Sequence, residues 1–335
     1  MKHITQHAAC QWTLIFLLLL AGACGGTRPE PGPEPAVVPD TLAVLPPDDN
    51  KPKPLPEPVP GPVPEPIPEP VPPGTLLTVM TYNIRYANPG DLLNHWSFRK
   101  AAAYNVIRAQ LPDVMGTQEV LHSQLQDLRE ALPGYGYVGV GREDGKTRGE
   151  YCALFYRTER FDLLEGATFW LSATPDKPGK GWDAACERVV SWAKLKEKAG
   201  GKIFFAFNTH FDHVGSVARR ESATLLKEEI RKIAGNAPVI VTGDFNAVAT
   251  DEPIRLLTGA TDPDHLTDTR EISPLIEGPR YSFHDFGKVA EAKGRLIDYI
   301  FVKNVSVVTR VQVLDRAVTG SYISDHYPVL AVIEL

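Results

Sequence analysis

The sequence predicts an α/β fold with two β-sheets packed face to face and helices outside. Two observations predict it. Apolar runs rich in β-branched and aromatic residues recur from residue 75 to residue 335, and only three stretches between them carry helical spacing. Many strands with few helices bury their inner faces by stacking sheet on sheet.

In chain order the strand runs begin with LLTVMTYNI (76–84), DVMGTQEV (113–120) and EYCALFYR (150–157). RVVSWAKLK (188–196), KIFFAFNTHF (202–211) and APVIVTGDFN (237–246) follow, then LIDYIFV (296–302), SVVTRVQVL (306–314) and PVLAVIEL (328–335). The spacing predicts helices over Phe98–Gln110, Ser123–Leu132 and Val217–Ile233, the last with the stripe Val217, Leu225, Leu226, Ile230, Ile233.

Before this domain come two segments of different character. Residues 1–24 have a polar, weakly basic start, an apolar run through Leu20 and the small residues Ala21, Gly22 and Ala23 before Cys24. That is a secretory signal with a lipobox-like site. It resembles the signal of bacterial lipoproteins, which implies lipid-modified Cys24 and an exported, membrane-anchored chain. Residues 25–74 form a proline-rich linker, with 19 of the 30 prolines between Pro29 and Pro73. Proline removes donors and fixes φ, so an extended polyproline spacer with a reach on the order of 100 Å is expected.

Lysine and arginine number 35 against 41 acidic residues, a formal net charge of -6. That balance argues against a domain that coats nucleic acid by charge alone, while leaving room for a local basic site. Of four cysteines, Cys152 and Cys186 remain in the domain, too few for a zinc cluster. A disulfide between them and two separate thiols both stay open.

Several strand runs carry a polar cluster at one end: TYNI, TQEV, NTHFDH, GDFNA, DYIF and SDHYPV. Independent turn caps explain any one of these but not six in one domain. In this order the clusters resemble the endonuclease/exonuclease/phosphatase superfamily, the DNase I-like fold, in its secreted bacterial branch. The resemblance covers residues 75–335. It implies a four-layered α/β sandwich, two facing mixed sheets flanked by helices, and Mg²⁺- or Mn²⁺-dependent hydrolysis of phosphate esters.

The residues suit that chemistry, because attack of water on a phosphate ester needs a divalent ion, a group to orient water and donors for the developing charge. Glu119, Asn83 and Asp325 offer the hard oxygen ligands that magnesium prefers. The resemblance implies that Asp298 holds His326, that Asp244 positions or deprotonates water, that Asn246 binds phosphate and that His210 donates to it. Asp244 and His326 both remain candidates for the base. Arg188 is either a phosphate clamp or a surface arginine, and Asp212 and His213 either join the site or order a loop. YSFHDF at 281–286 departs from the expected glycine-containing version, so a substrate contact by His284 is in doubt. Nucleic acid, an inositol phosphate and a phospholipid head group all remain candidate substrates. The alternative is a catalytically silent, tethered binding module. No obligate protein partner is inferred.

Overall fold

The structure is a computed structural model that describes residues 75–305 and 307–335. The signal, Cys24 and the proline-rich linker lie outside the described residues.

One sheet contains β1 (Leu76–Asn83), β2 (Val114–Gln118), β3 (Tyr135–Val138), β4 (Leu154–Arg157), β10 (Ile276–Glu277), β12 (Val307–Val313) and β13 (Val329–Glu334). Its strand order is β10-β12-β13-β1-β2-β4-β3. The other contains β5 (Phe161–Trp170), β6 (Val189–Glu197), β7 (Ile203–His210), β8 (Val239–Asp244), β9 (Thr267–Asp268) and β11 (Asp298–Lys303), in the order β5-β6-β7-β8-β11-β9. Each sheet has one parallel pair near its middle, β1 with β2 and β7 with β8. The neighbours β13 and β11 run antiparallel to them.

Three apolar cores separate four layers. Leu77, Val79 and Val114 from one sheet meet Phe204, Ala206, Ile240 and Ile300 from the other. Helices α1 (Trp96–Gln110) and α2 (His122–Ala131) cover Met80, Tyr82 and Met115 on the back of the first sheet. Helices α3 (Ser216–Ala234) and α4 (Glu252–Thr258) cover Phe205, Phe207, Val241 and Phe301 on the back of the second. The result is the expected four-layered sandwich.

Four strands escaped the sequence reading, the two-residue β9 and β10 and the longer β3 and β5. All four are edge strands, and the middle of β5 is exposed over Asp162–Ala167, so it lacks the apolar alternation that marks a half-buried strand. The buried stripe of α3 is Ala218, Ser222, Ala223, Leu226, Ile230 and Ala234. Val217 is exposed and does not belong to it, because the face against the sheet carries small residues that bring the helix close.

Candidate active site

Alternation along the strands builds the site. On β1, Leu77 and Val79 point between the sheets, and the same row continues through Thr81 to Asn83. The row on β7 runs Phe204, Ala206, Asn208, His210, and on β8 it runs Ile240, Thr242, Asp244. On antiparallel β11 it runs backwards, Val302, Ile300, Asp298. Each row is apolar at one end and polar at the other, and all the polar ends meet at one edge of the sandwich. Parallel strands leave where antiparallel strands enter, which is why Asp298 and the Asp325–His326 pair open their strands while Asn83 and Asp244 close theirs. The register sets Asp244 directly beside His210 on one side and Asp298 on the other.

A second polar layer lies just beneath; its Thr81, Gln118 and Asn208 stand in the clusters TYNI, TQEV and NTHFDH, but the sequence reading gave them no role. Gln118 Nε2 donates to Asn208 Oδ1 at 2.7 Å and to Thr81 Oγ1 at 3.1 Å. Thr242 Oγ1 donates to the same Asn208 oxygen at 3.1 Å, and Asn208 Nδ2 reaches the Thr117 carbonyl at 2.8 Å. Gly116 makes room for this network. A Cβ there would stand 2.0 Å from Thr242 Oγ1 and 2.3 Å from Asn208 Oδ1. The period-2 continuation of the apolar rows is the signal that would have found it.

Asp244 is the hub of the upper layer. Its Oδ2 accepts from Asn83 Nδ2 at 2.9 Å and lies 3.6 Å from His210 Nε2 and 3.7 Å from His326 Nε2. Its Oδ1 accepts from the Asn246 backbone at 2.9 Å. Asn246 stands at φ 49° in the turn after β8, and its Nδ2 is 3.0 Å from both His210 Nε2 and the Phe211 carbonyl. His326 Nδ1 pairs with Asp298 Oδ2 at 2.8 Å, and Phe283 packs edge-on against its ring at 5.1 Å. Ser324 Oγ donates to the Asn83 carbonyl at 2.7 Å, which ties the final loop to the first strand.

Burial and partners set the charges. Burial alone would lower the pKa of His326, but the carboxylates of Asp298 and Asp244 outweigh it and raise it to about 10. Asp244 is pushed up to about 7 by burial, with the charge of Asp298 adding. His210 is held neutral by burial, then by the positive Arg188 and Arg142.

Glu119 and Asp325 face a common cavity of about 530 Å³. Glu119, at φ 60°, accepts from Asn83 Nδ2 at 3.0 Å and from the Tyr86 backbone at 3.1 Å. Arg85 Nη1 lies 3.9 Å from Glu119 and 3.7 Å from Asp325, while its Nε pairs with Asp91 at 3.0 Å. Burial raises the pKa of Asp325, and the negative charge of Glu119 opposes its ionisation. Two enclosed carboxylates with one shared arginine form an oxygen donor set that a divalent cation would relieve, so the residues fit such an ion. Asp244, Asp298 and His326 also hold ligand atoms within 4.8 Å of one another. There, however, the Asp298–His326 hydrogen bond already occupies one donor atom on each.

The remaining candidates divide. Arg188 is not a surface residue: it is 4 % exposed and lines the cavity. Its Nε is 3.3 Å from Asp212 and its Nη2 2.8 Å from His213 Nδ1. Asp212 orders its loop by accepting from the backbones of Ala185, Val214 and Gly215, and with Arg188 these outweigh burial and lower its pKa to about 2. That leaves it little capacity for a metal, although it neighbours Cys186 and His213. His284 is absent from the cavity wall and is buried against Tyr322 and Tyr327, with ring centroids 4.9 and 3.9 Å away. Cys152 and Cys186 are free thiols. Arg85, Arg142, Glu150 and Arg295 also line the cavity, and none of them stands in the polar clusters that the sequence marks at strand ends.

The arrangement pairs a carboxylate of raised basicity with a charged histidine beside two metal-suited carboxylates. Comparison with known proteins places it. The chain resembles a solved endonuclease/exonuclease/phosphatase from Bacteroides vulgatus, 44 % identical with a TM-score of 0.75, over 78 % of this chain and 99 % of that one. A Bacteroides thetaiotaomicron mannosyl-6-phosphatase is 38 % identical with a TM-score of 0.71, over 77 % of this chain and 100 % of that one. An uncharacterized protein of Acanthamoeba polyphaga mimivirus is 28 % identical over 71 % of this chain and 92 % of its own length. The model of the Endonuclease/Exonuclease/phosphatase family matches residues 80–326, so the chain belongs to that family and is a phosphate-ester hydrolase.

Proposed function

We propose that the protein hydrolyses a phosphate ester by direct attack of water, with Mg²⁺ or Mn²⁺ held by Glu119 and Asp325 and with Asn83 bracing Glu119. The observation that carries this is the convergence of Asn83, His210 and His326 on one oxygen of Asp244. Such an ion, when bound, neutralises phosphate charge and stabilises the leaving oxygen. Asp244 is the base, because a carboxyl with a pKa of about 7 can take a proton from water near neutral pH. His326, charged until about pH 10, has no room for that proton and instead donates to a phosphate oxygen. Asp298 keeps it charged and oriented. His210 and Asn246, joined to each other at 3.0 Å, flank Asp244 where a phosphate would sit. The neighbour described as a mannosyl-6-phosphatase supports a monoester among the substrates.

Metal removal tests the reading. EDTA should abolish turnover of p-nitrophenyl phosphate and added Mg²⁺ restore it. Glu119→Gln should keep the fold but lower kcat/KM about 100-fold or more, with only partial rescue by excess Mg²⁺. Full turnover in EDTA, with no carried-over metal, would sink the proposal.

A further inference from the structure

Arg99 lies near the start of α1, is 4 % exposed and does not line the cavity. Its Nε donates to the Asn94 carbonyl at 2.8 Å and its Nη2 to the Arg85 carbonyl at 2.6 Å. Its Nη1 donates to the Ile84 carbonyl and, at 3.0 Å, to the Ile323 carbonyl. Every one of these acceptors is a backbone oxygen. Trp96 and Phe286 enclose the guanidinium, with ring centroids 5.1 and 5.8 Å away.

Two features make this a costly place for a cation. A buried charge is ordinarily balanced by an opposite one, yet among the described residues no carboxylate pairs with Arg99. The first turn of a helix also repels positive charge, because the peptide dipoles leave it partly positive. The fold of α1 needs no such group, since an apolar side chain would fill the same space.

The acceptors show what the guanidinium achieves. Ile84 and Arg85 directly follow Asn83, and Ile323 stands two residues before Asp325. Tyr82 Oη donates to the same Ile323 carbonyl at 2.9 Å. On the other side, Gln124 Nε2 donates to the Arg85 carbonyl at 3.0 Å, and its Oε1 accepts from the Ala87 and Leu121 backbones at 2.9 and 3.2 Å. A continuous set of bonds therefore runs from the segment of Glu119 through Gln124, the Arg85 carbonyl and Arg99 to the segment of Asp325. Only a planar fork with several fixed donors can hold three chain segments at once. Lysine carries the same charge on a single nitrogen.

We propose that Arg99 is a positioning residue, whose guanidinium sets the separation of Glu119 and Asp325 by fixing the two loops that carry them. This rests on the placement of the ion under the proposed function. Two carboxylates repel each other, and a spacing fixed beforehand spares the ordering that binding would otherwise require.

The test measures Mn²⁺ binding to the full chain without substrate, by electron paramagnetic resonance of the free ion. Arg99→Lys keeps the charge and loses the fork, so the Kd for Mn²⁺ should rise about tenfold or more, as for other residues that orient metal ligands. At saturating Mn²⁺, KM for p-nitrophenyl phosphate should change little while kcat falls. Circular dichroism checks the fold. A folded Arg99→Lys variant with parental Mn²⁺ affinity, whatever its melting temperature, overturns the inference. Should that variant fail to fold, Tyr82→Phe decides. It removes the second donor to the Ile323 carbonyl and should raise the Kd about fivefold, the worth of one hydrogen bond, and parental affinity there overturns the inference as well. Glu119→Gln separates the two claims. Binding lost in Glu119→Gln but intact in Arg99→Lys sinks the inference alone. A parent that binds no Mn²⁺, or whose binding survives Glu119→Gln, sinks the placement of the ion and the inference with it.

Discussion

The Asp298–His326 contact links one carboxylate to the charge of the site. Asp298→Asn keeps a hydrogen-bond acceptor but removes the charge that outweighs burial, so the pKa of His326 should fall from about 10. The alkaline limb of the pH–rate profile should then move toward neutral, and kcat should drop about 100-fold. His326→Ala should cost at least as much, and the double variant little more than the worse single, because the two act as a unit. Additive losses with an unmoved alkaline limb would show that Asp298 serves only its strand. At this scale the sequence was informative wherever a side chain continues a strand row, as Asn83, His210, Asp244 and Asp298 do. Arg142 and Glu150 follow no such row. Arg142 precedes the run EYCALFYR and Glu150 opens it, but neither stands in one of the polar clusters at strand ends, and only the fold brings them to the cavity wall.

Strands were legible in proportion to how far they are buried. The central β1, β7, β8 and β11 carry unmistakable β runs, whereas β3 and β5 lie at sheet edges with half-wet faces. How the central strands face each other was not legible, since it depends on Gly116 and the amide layer beneath the site. Gly116→Ala would push a methyl group into Asn208 and Thr242, both fixed by hydrogen bonds. The expected cost is about 1–3 kcal/mol in urea unfolding, with a loss of activity as the facing sheets part. A variant as stable and active as the parent would show that the layer yields.

For the whole chain, the sequence reading adds a tether to the hydrolase. We propose that the chain is exported and anchored through lipidated Cys24, with residues 25–74 as a stalk, on the support of the signal-like residues 1–24 alone. No described helix is long and apolar enough to cross a membrane. In a bacterial host, Cys24→Ser should therefore move the protein from the membrane fraction to the soluble fraction without altering kcat/KM. Persistence of the variant in membranes would exclude the lipid anchor.

The pairing of β1 with β13, Leu76 opposite Glu334, also bears on how activity first appears. Asn83 comes from the first strand of the domain, and Asp325 and His326 directly precede its last. Contacts this distant in sequence close late and slowly, because the intervening chain must first be brought together. A ribosome therefore releases Asn83 and Glu119 long before the residues that complete the centre. If the proposed centre is right, partly made or partly folded chains should be inert toward phosphate esters, with competence arriving only when β1 and β13 have paired.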